Sequence, residues 1–219
     1  MLSHLLRHAC IGLLRHACIG LLLMMNSFNV SANESESVWT SASPPAPMLE
    51  LYTSQGCYSC PAAEAWMNRL KDHPNLWQGL IPINLHVDYW DYLGWKDPYA
   101  RPTFSQRQRR YQQVGASKNV ATPGFVYGGW GWNGWFAGRD LPDLSPSYAS
   151  AALKVKFVGD TLEITWPESL PENTEVYAHA ARLGFGLIDQ ISAGENKGET
   201  LHHDFVVTAY VTGRMEAGY

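Results

Sequence analysis

The sequence is short of cysteine, of clustered charge and of long apolar runs, and each shortage excludes a class of protein. Only 4 of 219 residues are cysteine, too few for a small secreted scaffold held by many disulfides. The 16 basic and 20 acidic side chains form no long run of one sign, so we expect no nucleic-acid partner. Hydrophobic residues make up 46% of the chain, which excludes a wholly disordered protein.

The first 32 residues have the pattern of an export signal. Arg7 and Arg15 precede an apolar run at 17–25, and the polar stretch that follows ends at Ala32, where cleavage is expected. The run is shorter than the roughly 20 apolar residues that span a bilayer, so we predict no stable membrane span after cleavage. We expect a periplasmic or secreted protein, with an uncleaved anchor as the alternative.

The remaining chain divides by composition into three parts. Residues 33–47 are polar and then rich in proline and alanine, which predicts a flexible linker. Residues 48–154 predict an α/β domain, and residues 155–219 predict a small C-terminal β-rich module that could extend beyond Tyr219.

The α/β prediction rests on a strand, helix and strand in succession. Residues 48–53 and 80–87 have strand character, and between them an apolar helix face is predicted at Ala63, Trp66, Met67 and Leu70. The two strands are expected to be parallel, because a right-handed crossover joins them.

Further elements are expected along the rest of the chain. A second helix should begin with a capping box at Thr103 and Gln106 and end at Gly115. We also predict a short strand at 124–127, a helix at 146–154, a hairpin at 154–158 and 161–166, and strands at 174–181 and 201–211.

The cysteine pair Cys57 and Cys60 is the main candidate for chemistry. A thiolate at Cys57 would be stabilised by the amino end of the following helix, and Cys60 lies one turn further on, where it can resolve a mixed disulfide. Half of a zinc site is a second interpretation, although a four-cysteine site would need two more cysteines than the mature chain has. A purely structural disulfide is the third.

Two other features lie near this pair in the predicted fold. Thr122-Pro123 precedes a short strand, where a thioredoxin-type fold places a cis-proline that binds the substrate backbone. Glu50 lies in a strand expected to be covered on both faces, and burial would raise its pKa and make it a proton acceptor for Cys60. A carboxylate paired with Lys or Arg is the equally favoured alternative for Glu50.

These residues lie within strings that resemble a known family. The segments 50–61 (ELYTSQGCYSCP), 86–98 (HVDYWDYLGWKDP) and 194–201 (GENKGETL), together with Thr122-Pro123, resemble the secreted thioredoxin-like proteins of domain of unknown function 1223. The resemblance implies a thioredoxin-like fold, a redox pair at Cys57 and Cys60, and a cis-proline at Pro123. The Trp-rich stretch 128–140 departs from the family pattern.

A metal site and a docking surface are the remaining candidates. His86 and Asp88 end the second strand, and His86 with Cys57 and Cys60 would make a soft ligand set for copper. His202 and His203 cannot both join one ion, because neighbours on a strand point to opposite faces. Aromatic side chains in two loops could dock an apolar or unfolded segment, and packing against the β-rich module is the favoured alternative for the set: Tyr89, Trp90, Tyr92, Trp95, Tyr99, Trp130, Trp132 and Trp135.

The sequence thus predicts an exported thioredoxin-like thiol–disulfide oxidoreductase. Cys57 would be the nucleophile and Cys60 the resolving thiol. Glu50 would relay a proton, and Thr122, Pro123, Trp90 and Trp95 would contact the substrate. The expected partners are extracytoplasmic proteins with thiols or disulfides, and no cofactor is expected. A copper chaperone that uses Cys57, Cys60 and His86, and a non-catalytic binding module, are the alternatives.

Overall fold

The computed structural model describes residues 37–41, 45–142, 152–158, 161–166 and 175–215. The helices are α1 (Cys60–Asn68) and α2 (Pro102–Gln113). The strands are β1 (Ser37–Thr40), β2 (Met48–Thr53), β3 (Ile81–His86), β4 (Gly124–Tyr127), β5 (Trp130–Gly131), β6 (Lys154–Val158), β7 (Thr161–Thr165), β8 (Tyr177–Gly184), β9 (Leu187–Gln190), β10 (Thr200–His203) and β11 (Val206–Arg214). This is an α/β fold with a β-rich C-terminal part.

A six-stranded sheet in the order β5-β4-β2-β3-β11-β8 forms the centre of the fold. Strand β2 pairs in parallel with β3 along its whole length, from Met48 opposite Ile81 to Thr53 opposite His86. The predicted βαβ unit is therefore confirmed. On its other side β2 pairs antiparallel with β4, which carries the chain away from Pro123.

The alternation of side chains along β2 assigns them to opposite faces of the sheet. Leu49 and Leu51 pack with Ala63 and Met67 of α1, in the helix face that the sequence predicted. Tyr52 packs instead with Phe104 of α2. One helix therefore covers each face, and a polar side chain on β2 meets α1 or α2 according to its position in the alternation.

The C-terminal strands extend the central sheet. Strand β11 is parallel to β3, with Val206 opposite Asn84, and antiparallel to β8. Strands β9 and β10 form a two-stranded sheet, and β6 and β7 form the predicted hairpin. The expected C-terminal part is thus rich in strands, but β8 and β11 continue the sheet of residues 48–127 instead of forming one of their own.

Three local expectations are corrected or only partly described. Strand β1 pairs with β6 at residues 37–40, inside the predicted linker. Helix α2 has Arg101 as its N-cap and no capping hydrogen bond from a side chain, because Pro102 occupies the first turn and places Thr103 inside the helix. The predicted helix at 146–154 lies mostly outside the described residues, and its last residue, Lys154, begins β6.

The predicted leader, 1–32, also lies outside the described residues. Neither helix of the described ranges has the length and apolar character that crossing a membrane requires.

Candidate functional site

The cysteine pair lies in the turn that joins β2 to α1. The Cys57 amide donates to the Ser54 carbonyl oxygen at 3.2 Å, and this turn leads into Cys60, the first residue of α1. The two cysteines form a disulfide with a Cα–Cα distance of 5.5 Å. Cys57 is 2% exposed and Cys60 is fully buried, so Cys57 is the more accessible of the two sulfur positions.

The peptide bond between Thr122 and Pro123 is cis and lies next to the disulfide. Cys57 Sγ lies 3.7 Å from the Thr122 carbonyl oxygen. Trp90 Nε1 donates to Thr122 Oγ1 at 2.7 Å and so holds this segment from the opposite side. The structure thus brings together Cys57, Cys60, Thr122, Pro123 and Trp90.

Gly124, directly after the proline, is enclosed by backbone. A Cβ atom there would lie 2.5 Å from the Ala121 carbonyl oxygen, which accepts a hydrogen bond from Gln108 Nε2 at 2.7 Å. Only glycine fits this position without displacing the backbone beside the disulfide.

A C-terminal loop that sequence reasoning did not assign to the site also contacts the cysteine pair. Asn196, 4% exposed, donates from Nδ2 to the carbonyl oxygens of Gln55 at 2.8 Å and Cys57 at 2.9 Å. The Tyr58 amide donates to Glu195 Oε2 at 2.8 Å. These contacts join residues about 140 positions apart. Their only signal in the sequence was the string 194–201.

Glu50 does not lie with the cysteines, and the expected proton relay is corrected. Its carboxylate faces α2 and accepts hydrogen bonds from Arg107 Nε and a second guanidinium nitrogen, both at 2.8 Å. Tyr52 and Tyr111 donate their hydroxyls at 2.6 Å each. Burial, and next the Glu50 charge, raise the pKa of both tyrosines, so they remain donors. Helix α1 with Cys60 covers the other face of the sheet.

Several of the loop aromatics are held by packing or by a hydrogen bond, and another borders a cleft. Trp95 Nε1 donates to Gln55 Oε1 at 2.8 Å, and Trp132 and Trp135 pack on Phe125. Trp130 is 67% exposed and, with Phe136, borders a cleft of about 360 Å³ that Pro123 also lines. A cleft with both polar and apolar side chains in its lining therefore lies alongside the cis-proline.

A buried polar cluster lies on the α1 side of the sheet. His203 Nδ1 donates to Glu64 Oε2, and Thr53 Oγ1 donates to Glu64 Oε1 at 2.5 Å. His86 Nδ1 donates to Asp97 Oδ2 at 2.8 Å, and the rings of His86 and His203 lie with their centroids 5.5 Å apart.

Burial and charge oppose each other in this cluster. Burial alone would lower the pKa of His86, but the charge and hydrogen bond of Asp97, followed by the charges of Glu64 and Asp189, raise it to about 9. Burial would raise the pKa of Glu64, yet the hydrogen bond from His203 and the charge of His86 hold it below its ordinary value. The pKa of Asp97 is lowered against its burial by His86 in the same way.

The copper ligand set that the sequence offered as an alternative is not brought together. Cys57 and Cys60 are joined to each other, and His86 groups with Glu64 and His203. Asp88 accepts a hydrogen bond from Ser105 and takes no part in that group. Sequence reasoning missed Glu64, although its position four residues after Cys60 on one helix face was a usable signal.

The fold and site define an α/β protein with a CxxC disulfide at the start of a helix, next to a cis-proline. The chain belongs to the family described as protein of unknown function DUF1223, whose model matches residues 48–217.

One similar solved structure supports the fold. It is the crystal structure of an Agrobacterium tumefaciens protein from a structural genomics consortium, at 23% identity and a TM-score of 0.52, and the match covers 78% of this chain and 74% of that one. No curated protein matches the chain significantly.

Proposed function

We propose that the protein is an exported thioredoxin-like thiol–disulfide oxidoreductase that acts on other extracytoplasmic proteins. The observation that carries the proposal is the 3.7 Å contact between Cys57 Sγ and the Thr122 carbonyl oxygen, at a cis Thr122–Pro123 bond. A main-chain segment beside a CxxC disulfide offers backbone groups to an extended substrate at the place where a sulfur is exchanged.

The proposed thiol–disulfide exchange needs no electron acceptor or donor in the protein other than the two cysteines. A substrate thiolate attacks Cys57 Sγ, the Cys57–Cys60 bond breaks, and Cys60 leaves as a thiolate that takes up a proton from water. A second substrate thiolate then attacks the mixed disulfide and releases Cys57. The substrate dithiol loses two electrons to the cysteine pair, and the reverse sequence reduces a substrate disulfide.

The cleft beside Pro123 supports a protein substrate. Its exposed Trp130 and Phe136 supply apolar surface for an extended segment whose sulfur reaches Cys57. Trp90 acts on the substrate through Thr122, since its indole N–H is bound there. Trp95 holds Gln55 and serves as a positioning residue.

The test compares Cys57→Ser with Tyr58→Phe in reduction of insulin and in oxidation of a reduced model protein. Tyr58 is exposed between the two cysteines, so removing its hydroxyl leaves the sulfurs unchanged. We expect the wild type and Tyr58→Phe to be equally active in one direction and Cys57→Ser to be inactive.

An active Cys57→Ser variant would refute the assignment of the nucleophile. A wild type that is inactive in both directions, with a disulfide that glutathione mixtures do not reduce, would refute the redox function and favour a non-catalytic binding module.

A further inference from the structure

Three buried side chains from three separate elements meet on the α1 side of the sheet. Glu64 comes from α1, His86 from the end of β3 and His203 from the end of β10. They are 2%, 0% and 1% exposed, and one potential ligand atom of each lies within 4.8 Å of those of the other two. Two imidazoles and a carboxylate are the protein ligands of many zinc sites.

The second observation is a nitrogen that no described residue contacts through a hydrogen bond. His86 Nδ1 is bonded to Asp97, whereas His86 Nε2 is buried and has no hydrogen-bond partner among the residues that the structure describes. A buried polar atom left unpaired is costly, and native proteins rarely retain one without a reason. A cation bound to this nitrogen would satisfy it.

The groups around the three side chains are those that orient metal ligands. Asp97 accepts from the far nitrogen of His86, and Thr53 donates to the second oxygen of Glu64. His203 Nε2 lies 3.7 Å from Asp189, the carboxylate to which it would donate its proton once Nδ1 binds the metal. A histidine that binds a metal through one nitrogen regularly has such a partner on the other, because the partner fixes the ring and its proton.

The charge of the cluster also favours a cation. The carboxylates of Glu64, Asp97 and Asp189 surround two imidazoles, so any positive charge inside must come from protons on the rings or from an ion. A divalent cation would displace the proton that His203 Nδ1 now donates to Glu64, and it would bind His86 Nε2 after displacing the proton that this nitrogen carries when the ring is charged.

We propose that Glu64, His86 and His203 form a site for one Zn²⁺ ion or a similar divalent transition metal. Asp97 and Asp189 orient the two histidines. The site is separate from the disulfide and uses neither cysteine. The proposal of a metal site therefore does not depend on the redox function. Asp189, 22% exposed, and the partly exposed Tyr99 lie beside His203, between the site and solvent-exposed surface.

The experiment measures zinc binding to the chain without a histidine tag, with the disulfide intact. After treatment with EDTA and dialysis, Zn²⁺ is titrated against a chromophoric chelator. We expect one ion per chain for the wild type, and more than about 100-fold weaker binding for His203→Gln and Glu64→Gln. Asp97→Asn should bind about 10–100-fold more weakly, since it removes an orienting partner.

His202→Gln is the matched control, because His202 is the exposed neighbour on the same strand. It should bind Zn²⁺ as the wild type does. Absence of stoichiometric binding by the wild type at micromolar concentrations would overturn the proposal, as would equal losses for His202→Gln and His203→Gln.

A measurement on the wild type guards against variants that fail to fold. The X-ray absorption of the zinc-loaded protein should show only nitrogen and oxygen ligands, at about 2.0–2.2 Å. A sulfur ligand at about 2.3 Å would overturn the proposal and return the cysteines to the ligand set.

Discussion

Replacing Arg107 by leucine should destabilise the protein, because it leaves the Glu50 carboxylate buried without its cation. Glu50 is 1% exposed and receives two hydrogen bonds from the guanidinium. Removing one partner of a buried ion pair costs about 3–5 kcal/mol. Tyr52 and Tyr111 still donate to the carboxylate, so we expect about 3 kcal/mol, at the lower end of that range.

Urea denaturation followed by tryptophan fluorescence measures this loss. Arg110→Gln is the matched control, since Arg110 is an exposed cation in the last turn of the same helix. A surface substitution of this kind usually changes stability by less than about 0.5 kcal/mol. The difference between the two variants therefore isolates the buried pair from the helical charge.

The double variant Glu50→Gln with Arg107→Leu separates an unpaired charge from lost packing. A neutral amide removes the stranded negative charge and still accepts a hydrogen bond from one tyrosine. The double variant should therefore recover more than half of the stability that Arg107→Leu loses.

Two results would refute this reasoning. One is a loss for Arg107→Leu no larger than that for Arg110→Gln, and the other is a double variant no more stable than Arg107→Leu alone. Glu50→Gln by itself should leave any redox rate unchanged, because Glu50 faces α2 and the disulfide lies at the start of α1.

Three further predictions concern His86, Gly124 and Asn196. In EDTA-treated protein, His86 should contribute about 3 kcal/mol to the free energy of unfolding. This contribution is fully present below pH 6.5, the pKa of the unfolded chain, and is lost as the pH rises through about 9. A free energy of unfolding that stays constant over that range in urea denaturation would contradict this. Gly124→Ala, whose Cβ would lie 2.5 Å from a carbonyl oxygen, should cost about 1–3 kcal/mol in urea denaturation, whereas Gly213→Ala, which meets nothing within 4 Å, should cost little. Asn196→Ala removes two hydrogen bonds to carbonyl groups beside the disulfide and should speed its reduction by dithiothreitol several-fold, and an unchanged rate would show that this loop does not restrict access.

Local pattern was sufficient to predict much of the first half of the fold. The strand at 48–53, the apolar face of α1, the strand at 81–86 and the short strand at 124–127 follow from periodicity and turn residues. The predicted capping box was wrong because Thr103 and Gln106 have the right spacing but lie two residues too far along the chain. Pro102 had already begun the helix.

Long-range pairing could not be predicted from pattern. Strand β11 lies beside β3 although about 120 residues separate them, and alternation within a strand says nothing about its neighbour in the sheet. The metal candidate depends on this pairing. His203 reaches Glu64 because β10 leads into β11 at that edge of the sheet. The sequence pattern predicts a separate C-terminal module and therefore does not indicate this cluster.

The alternation of side chains along β2 separates groups that stabilise the fold from groups that could take part in chemistry. Thr53 and Leu51 face α1, and Glu50 and Tyr52 face α2. The α2 face carries an ion pair whose carboxylate, Glu50, accepts from Arg107, Tyr52 and Tyr111. The α1 face carries the disulfide and a histidine nitrogen that has no partner in the described part of the chain, and a reaction or a ligand could use these features. A carboxylate that acts with Cys60 or with a metal must therefore come from the α1 side, where Glu64 lies. A carboxylate one position away from Glu50 on β2 would face α1 instead of α2.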